Sequence, residues 1–195
     1  GAQHRVETAQ RAVLFVDVAD STRIYELLGD TRALALINRL LGQLEKTAGR
    51  HGGTVVKTLG DGMVCAFPAP DSALQAAVDM QTAVAAPPAQ SLGRLAIKIG
   101  FTYGPVVLSG GDVFGDTVNV CARLVALANP GQVLTTQQTV DAMAPALRER
   151  CRQIFPIRVR GRHEEIIACD VPWRSDPDTT ERNLSRASLT RERET

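Results

Sequence analysis

Asp17 and Asp61 each follow an apolar run, in R-A-V-L-F-V-D-V-A-D-S-T (11–22) and V-V-K-T-L-G-D-G-M-V-C-A-F (55–67). Two carboxylates at adjacent strand ends can hold hard cations, because Mg²⁺ prefers oxygen ligands and typically takes one or two carboxylates plus phosphate oxygens. Singly, each Asp reads equally well as a helix cap or a turn residue. Four further polar residues extend the set: Lys57, Asp112, Asn119 and Arg123. Asn119 and Arg123 stand at i and i+4, so one helical face presents an amide and a guanidinium together. Arg grips phosphate oxygens through a planar fork, and such donors stabilise charge developing on a phosphoryl group. The segment 18–22 leads into a helix N-terminus, where backbone N–H groups and the dipole favour phosphate.

The elements that must position these residues are legible from periodicity. Residues 11–18 read as a buried strand, short and β-branched. A helix follows, with Asp20 or Ser21 as N-cap and Ile24, Leu27, Leu28, Leu34, Ile37, Leu40, Leu41 and Leu44 at three- and four-residue spacing up to Gly49, broken at Gly29-Asp30. Short strands at 54–57 and 63–67 flank Leu59-Gly60-Asp61-Gly62, and Asp-Gly between β-prone runs signals a hairpin. A second helix is expected over 72–84, closed by Ala-Pro-Pro at 86–89. Strands follow at 95–101 and 106–108, with a turn at Gly104-Pro105 between them. A third helix covers 116–127, ended by Asn129-Pro130-Gly131, and two last strands cover 154–160 and 165–171. The order βαββαβ with extra C-terminal strands predicts an α+β, ferredoxin-like core: a mostly antiparallel sheet with helices on one face.

Composition sets the bounds. The 195 residues suit one domain; 44% are hydrophobic and 22% charged, as in a soluble globular protein. Lys and Arg total 22 against 21 acids, so no overall charge points to nucleic acid or an anionic membrane as the main partner. The four cysteines show no metal-ligand spacing and read as reduced, mostly buried thiols; His51 and His163, flanked by Gly and by charge, read as exposed loop residues. No stretch approaches the length of a membrane span, which predicts a cytoplasmic domain, facing the cytosol if the full-length protein is membrane-anchored. Residues 1–10 read as an N-terminal stub, 11–173 as the domain and 174–195 as a polar tail or linker.

Four blocks in order, F-V-D-V-A-D-S-T, K-T-L-G-D-G, I-G-F-T-Y-G-P-V and D-V-F-G-D-T-V-N-V-C-A-R-L, resemble the class III nucleotide cyclase catalytic domain of adenylate and guanylate cyclases, over residues 11–173. The resemblance implies two divalent cations, Mg²⁺ or Mn²⁺, on Asp17 and Asp61, a base-reading pair in Lys57 and Asp112, and transition-state residues in Asn119 and Arg123. Arg160, in V-R-G-R where the family often has V-K-G-K, is similar to its contact with the terminal phosphates. The resemblance also implies a head-to-tail homodimer whose chains share each active site.

The base-reading pair separately favours adenine. Adenine offers N1 as acceptor and its exocyclic amine as donor, which suits a cationic donor and an anionic acceptor. Guanine reverses the demand. The expectation is an adenylate cyclase converting ATP to 3′,5′-cyclic AMP and pyrophosphate; the alternatives are a guanylate or mixed-specificity cyclase and a non-catalytic nucleotide-binding module. Gly110-Gly111-Asp112-Val113-Phe114 is superficially similar to a dinucleotide-synthase signature, but Val113 cannot ligate metal. Aromatics at 4% argue against a sheet that stacks RNA bases.

Overall fold

Alternation along the first strand, β1 (Glu7–Val18), decides the layering. Ala12, Leu14, Val16 and Val18 enter the largest apolar cluster, whereas Val13 and Phe15 face a second cluster on the other side. The computed structural model describes residues 5–86 and 95–174; the Ala-Pro-Pro segment falls largely, and the tail almost wholly, outside the described residues.

Two helices, α1 (Ser21–Leu28) and α2 (Asp30–Arg50), meet at Gly29, whose φ of 77° permits the expected break. A hairpin of β2 (Thr54–Leu59) and β3 (Gly62–Phe67) turns through Gly60 and Asp61. Then come α3 (Pro70–Ala85), β4 (Ile97–Ser109), β5 (Asp112–Phe114) and α4 (Asp116–Leu127). The chain ends with β6 (Val133–Thr136), α5 (Gln137–Asp141), α6 (Pro145–Arg148), β7 (Arg152–Ile157) and β8 (Ile166–Asp170).

The strands form one eight-stranded sheet in the order β2-β3-β1-β4-β6-β8-β7, with β5 paired to β4 off that path. The segment β2-β3-β1-β4 is the order of a ferredoxin-like βαββαβ core. Among the described residues only the β4–β6 pairing is parallel. Residues of α2 and α3 cover the Leu14 face, while α4 lies on the Val13 face.

Three expectations need correction. Gly104-Pro105 is not a turn: β4 runs unbroken for 13 residues, with Pro105 opposite Gln10 of β1. Proline is tolerated because β4's other edge is bare there, β6 pairing only at Ile99 and Gly100 and β5 only from Val107 onward. The last strands lie at Arg152–Ile157 and Ile166–Asp170, so Arg160 sits in the connection between them. His51 caps the C-terminus of α2 and its Nε2 lies 2.7 Å from Asp79 Oδ2.

Helix α4 touches the sheet more closely than side chains would allow. A Cβ on Gly100 would stand 2.9 Å from both Leu124 Cβ and the Val125 backbone nitrogen, and one on Gly104 would stand 2.8 Å from Thr117 Oγ1. Polar bonds fill the seam: Thr117 Oγ1 donates to Pro105 O at 2.7 Å and Thr102 Oγ1 donates to Thr117 O at 2.8 Å. The Cys121 thiol lies 3.2 Å from Gly100 O and 3.3 Å from Val13 O. Burial pushes the Cys65 and Cys121 thiols up to about 12, and Cys151 and Cys169 up to about 11, so none is a thiolate at neutral pH. Among the described residues no helix is long and apolar enough to cross a membrane.

Gly100→Ala is therefore expected to lower stability in urea by about 1–3 kcal/mol, the usual cost of overpacking against atoms that cannot rotate away. An unchanged midpoint would mean that α4 can lift off β4.

Candidate active site

Asp17 continues the Val13 and Phe15 side of β1, so its carboxyl lies on the same sheet face as α4. Its register partners are Gly62 on β3 and Lys98 on β4. Gly62 is needed for this: a Cβ there would collide with Asp17 Oδ1 and would lie 2.5 Å from the Val16 carbonyl oxygen. Asp61 occupies the β2–β3 turn, and its carbonyl accepts the Val18 N–H at 3.0 Å, tying the turn to the end of β1.

The two carboxylates feel each other. Crowding by protein atoms raises the Asp17 carboxyl above its ordinary value; Lys98 pulls it back, and the charge of Asp61 pushes it up again. The Tyr25 phenol of α1 is raised by desolvation first and by the charges of Asp61 and Asp30 next. Nothing in the sequence signalled Tyr25, because a contact from a helix to a hairpin turn has no local pattern. Among the described residues no third His, Cys, Asp or Glu joins the two carboxylates in a metal-binding group. Such an open, mutually repelling pair suits hard cations that keep positions for phosphate oxygens. Asp20 takes the N-cap position of α1 in the left-handed conformation, φ 51°, but its side chain makes no capping bond.

Lys57 reaches the same face through a β-bulge. Val55 pairs with Cys65 and Lys57 with Val64, leaving Val56 as the extra residue. Val55 packs on the α2–α3 side and Val56 on the other, so strict alternation would have turned Lys57 toward the α2–α3 side. Lys57 Nζ instead donates to Asp112 Oδ2 at 3.1 Å, both side chains about a third exposed (35% and 31%). Asp112 Oδ1 accepts the Val113 N–H at 2.7 Å. Burial pushes the Asp112 carboxyl up, but the bonds from Lys57 and Val113 outweigh it and hold it below its ordinary value.

Asn119 and Arg123 lie exposed on α4, opposite the buried Val118, Cys121, Leu124 and Val125. The structure brings Asp17 to Asp61 and Lys57 to Asp112; no hydrogen bond or ion pair joins Asn119, Arg123 or the exposed Arg160 to either pair among the described residues. The hairpin ends flanking the site carry exposed apolar side chains, Leu59 at 51% and Phe114 at 49%.

The raised Asp17 carboxyl gives a signed prediction. In the folded, metal-free chain Asp17 holds its proton to higher pH than when unfolded, so stability falls as pH rises out of the ordinary carboxylate range. Asp17→Asn should therefore raise the midpoint of thermal unfolding in EDTA at pH 7 and leave it unchanged below that range. A lowered midpoint at pH 7 would contradict the crowding of this carboxyl.

Comparison with known proteins matches the adenylate and guanylate cyclase catalytic domain over residues 4–168. A Mycobacterium tuberculosis protein is 30% identical over 170 residues, covering 85% of this chain and 43% of its own. A putative adenylate cyclase 3 of Rhizobium meliloti is 33% identical over 134 residues, covering 68% of this chain and 23% of its own. The chain thus spans less than half the length of these relatives. The crystal structure of an adenylate/guanylate cyclase/hydrolase from Silicibacter pomeroyi superposes with a TM-score of 0.73 at 28% identity, over 86% of this chain and 99% of that one. With the family matched across most of its length and the fold shared, this chain belongs to the adenylate and guanylate cyclase catalytic domain family.

Proposed function

We propose that the chain is an adenylate cyclase, closing ATP to 3′,5′-cyclic AMP with release of pyrophosphate at sites shared between two copies. The observation that carries this reading is the Lys57–Asp112 ion pair, 3.1 Å long and on the same sheet face as Asp17. Opened by an adenine, the pair offers an ammonium to N1 and a carboxylate to the exocyclic amine. Lys57 and Asp112 satisfy each other at 3.1 Å, so neither charge stands alone.

In the reaction the ribose 3′-oxygen bonds to the α-phosphorus, the bond from that phosphorus to the bridging oxygen of the β-phosphate breaks, and the 3′-hydroxyl proton leaves to solvent. Asp17 and Asp61 would hold two divalent cations, Mg²⁺ or Mn²⁺, which supply Lewis acidity toward the 3′-oxygen and the α-phosphate. Asn119 and Arg123 aim an amide and a guanidinium at the charge that builds on the phosphoryl oxygens, and Arg160 meets the terminal phosphates.

A shared site accounts for two features of the single chain. Asn119 and Arg123 project from α4 with no side-chain partner among the described residues, and Leu59 and Phe114 leave apolar side chains exposed at the hairpin ends. A second copy docked there covers the apolar rim and brings one chain's α4 to the other chain's carboxylates.

Two experiments test the reading. Purified protein with Mg²⁺ or Mn²⁺ should convert ATP to cyclic AMP; Asp61→Ala should abolish this, and Asn119→Ala should lower kcat on the order of 10²–10³-fold. Comparable turnover of GTP would overturn the adenine assignment. Mixing Asp17→Ala chains with Asn119→Ala chains should restore activity that each lacks alone, because one of the two mixed sites keeps every residue. If the mixture stays dead, the site is not shared.

A further inference from the structure

Asp116, Asn119 and Arg123 recur at i, i+3 and i+7 on α4 and are all exposed, so the first residue of the helix lies on the stripe that carries the two proposed transition-state residues. Asp116 Oδ2 lies 3.1 Å from Arg162 Nε. Arg162 closes the connection between β7 and β8: its N–H donates to Val159 O at 3.0 Å, and Gly161, with φ 89°, occupies the position of that four-residue turn that needs a left-handed residue. Arg160 is the remaining corner. The turn is anchored to α4 at two places, by Val159 in the apolar cluster with Val120 and Leu124, and by Arg162 on Asp116.

Below the ion pair the packing is incomplete. A cavity of about 140 Å³ lies there, lined among others by Thr102, Thr117, Val120, Thr136 and Ile166. Asp116 and Arg162 both line this cavity, so the ion pair faces open space on that side of the turn.

We infer that Asp116 and Arg162 are positioning residues: their ion pair fixes the turn that presents Arg160, and so sets where the terminal phosphates of the nucleotide lie relative to Asn119 and Arg123. This rests on the cyclase reading of the site. The pair is too exposed, at 35% and 55%, to matter much for folding, as surface ion pairs contribute little to stability. Its effect is geometric: it removes the freedom of a cationic side chain before the nucleotide arrives, and ordering of that kind raises affinity without adding a contact.

The test uses equilibrium binding of 3′-deoxy-ATP with Mg²⁺, which keeps the triphosphate but cannot cyclise, alongside ATP turnover. Arg162→Gln and Asp116→Asn should each weaken binding on the order of tenfold, as expected for a charge-assisted phosphate contact loosened rather than deleted. The double variant should be no weaker than either single, Arg162→Lys should retain most of the affinity, and unfolding midpoints should stay put. In an Arg160→Ala background Arg162→Gln should have no further effect, since the pair acts through Arg160. Unchanged affinity in Arg162→Gln, or a loss that persists undiminished in the Arg160→Ala background, overturns the inference. Turnover separates the two readings: a wild-type chain that makes cyclic AMP while the pair variants bind normally sinks only the pair's role. A chain that binds the analogue through the pair yet forms no cyclic nucleotide sinks the reaction instead.

Discussion

The contact on which the rest of the arrangement depends is the seat of α4 on β4. Gly100 takes the helix backbone to a distance no Cβ would permit, Gly104 leaves room for the Thr117 side chain, and Thr102, Thr117 and Cys121 close the seam with polar bonds. A helix held by backbone contact has little freedom to roll. The stripe of Asp116, Asn119 and Arg123 therefore points away from the sheet in one fixed direction, and the ion pair to Arg162 inherits that direction. Loosening the seat would disturb every group that the helix presents.

A second constraint governs the sheet face. Alternation puts Asp17 and Lys98 on the α4 side, away from the large cluster under α2 and α3, and the bulge at Val56 brings Lys57 there too. One face thus carries the larger apolar cluster, and the other a smaller one together with these charged groups. The division has a cost visible at Asp17, whose ionised form the fold disfavours; that opposition is what a cation would relieve. Gly62 serves the same end by leaving room beside β3 for the carboxylate.

Much of this was legible in the sequence. The bounds of α4, the break at Gly29 and the turn at Gly60 and Asp61 follow from caps, glycines and periodicity, all local signals. The family itself is carried by four short blocks. What escaped was set by tertiary context. Gly104-Pro105 has turn chemistry, but it lies where β4's second edge is unpaired, so the strand continues. The bulge at Val56 leaves no mark in a run of β-prone residues, yet it decides which side Lys57 faces. Short elements such as β5, β6, α5 and α6 fall below the length at which periodicity can be recognised. The partnership of Arg162 with Asp116 spans two elements far apart in sequence and has no pattern at all.

The unpaired edge beside Pro105 also shortens the ladder between two parts of the sheet. The strands β6, β8 and β7 join the core sheet only where Ile99 and Gly100 pair with Val133 and Leu134; past that point β4's edge meets α5, whose Thr139 Oγ1 accepts the Tyr103 N–H at 3.0 Å. A leaf joined by so few ladder bonds is held instead by packing and side-chain bonds: Val133, Cys169 and Val171 belong to the same apolar cluster as Leu14, and Thr135 Oγ1 donates to Phe101 O at 2.7 Å. The arginine-bearing turn rides on that leaf. Where that turn stands is therefore a matter of core packing and not of strand pairing alone.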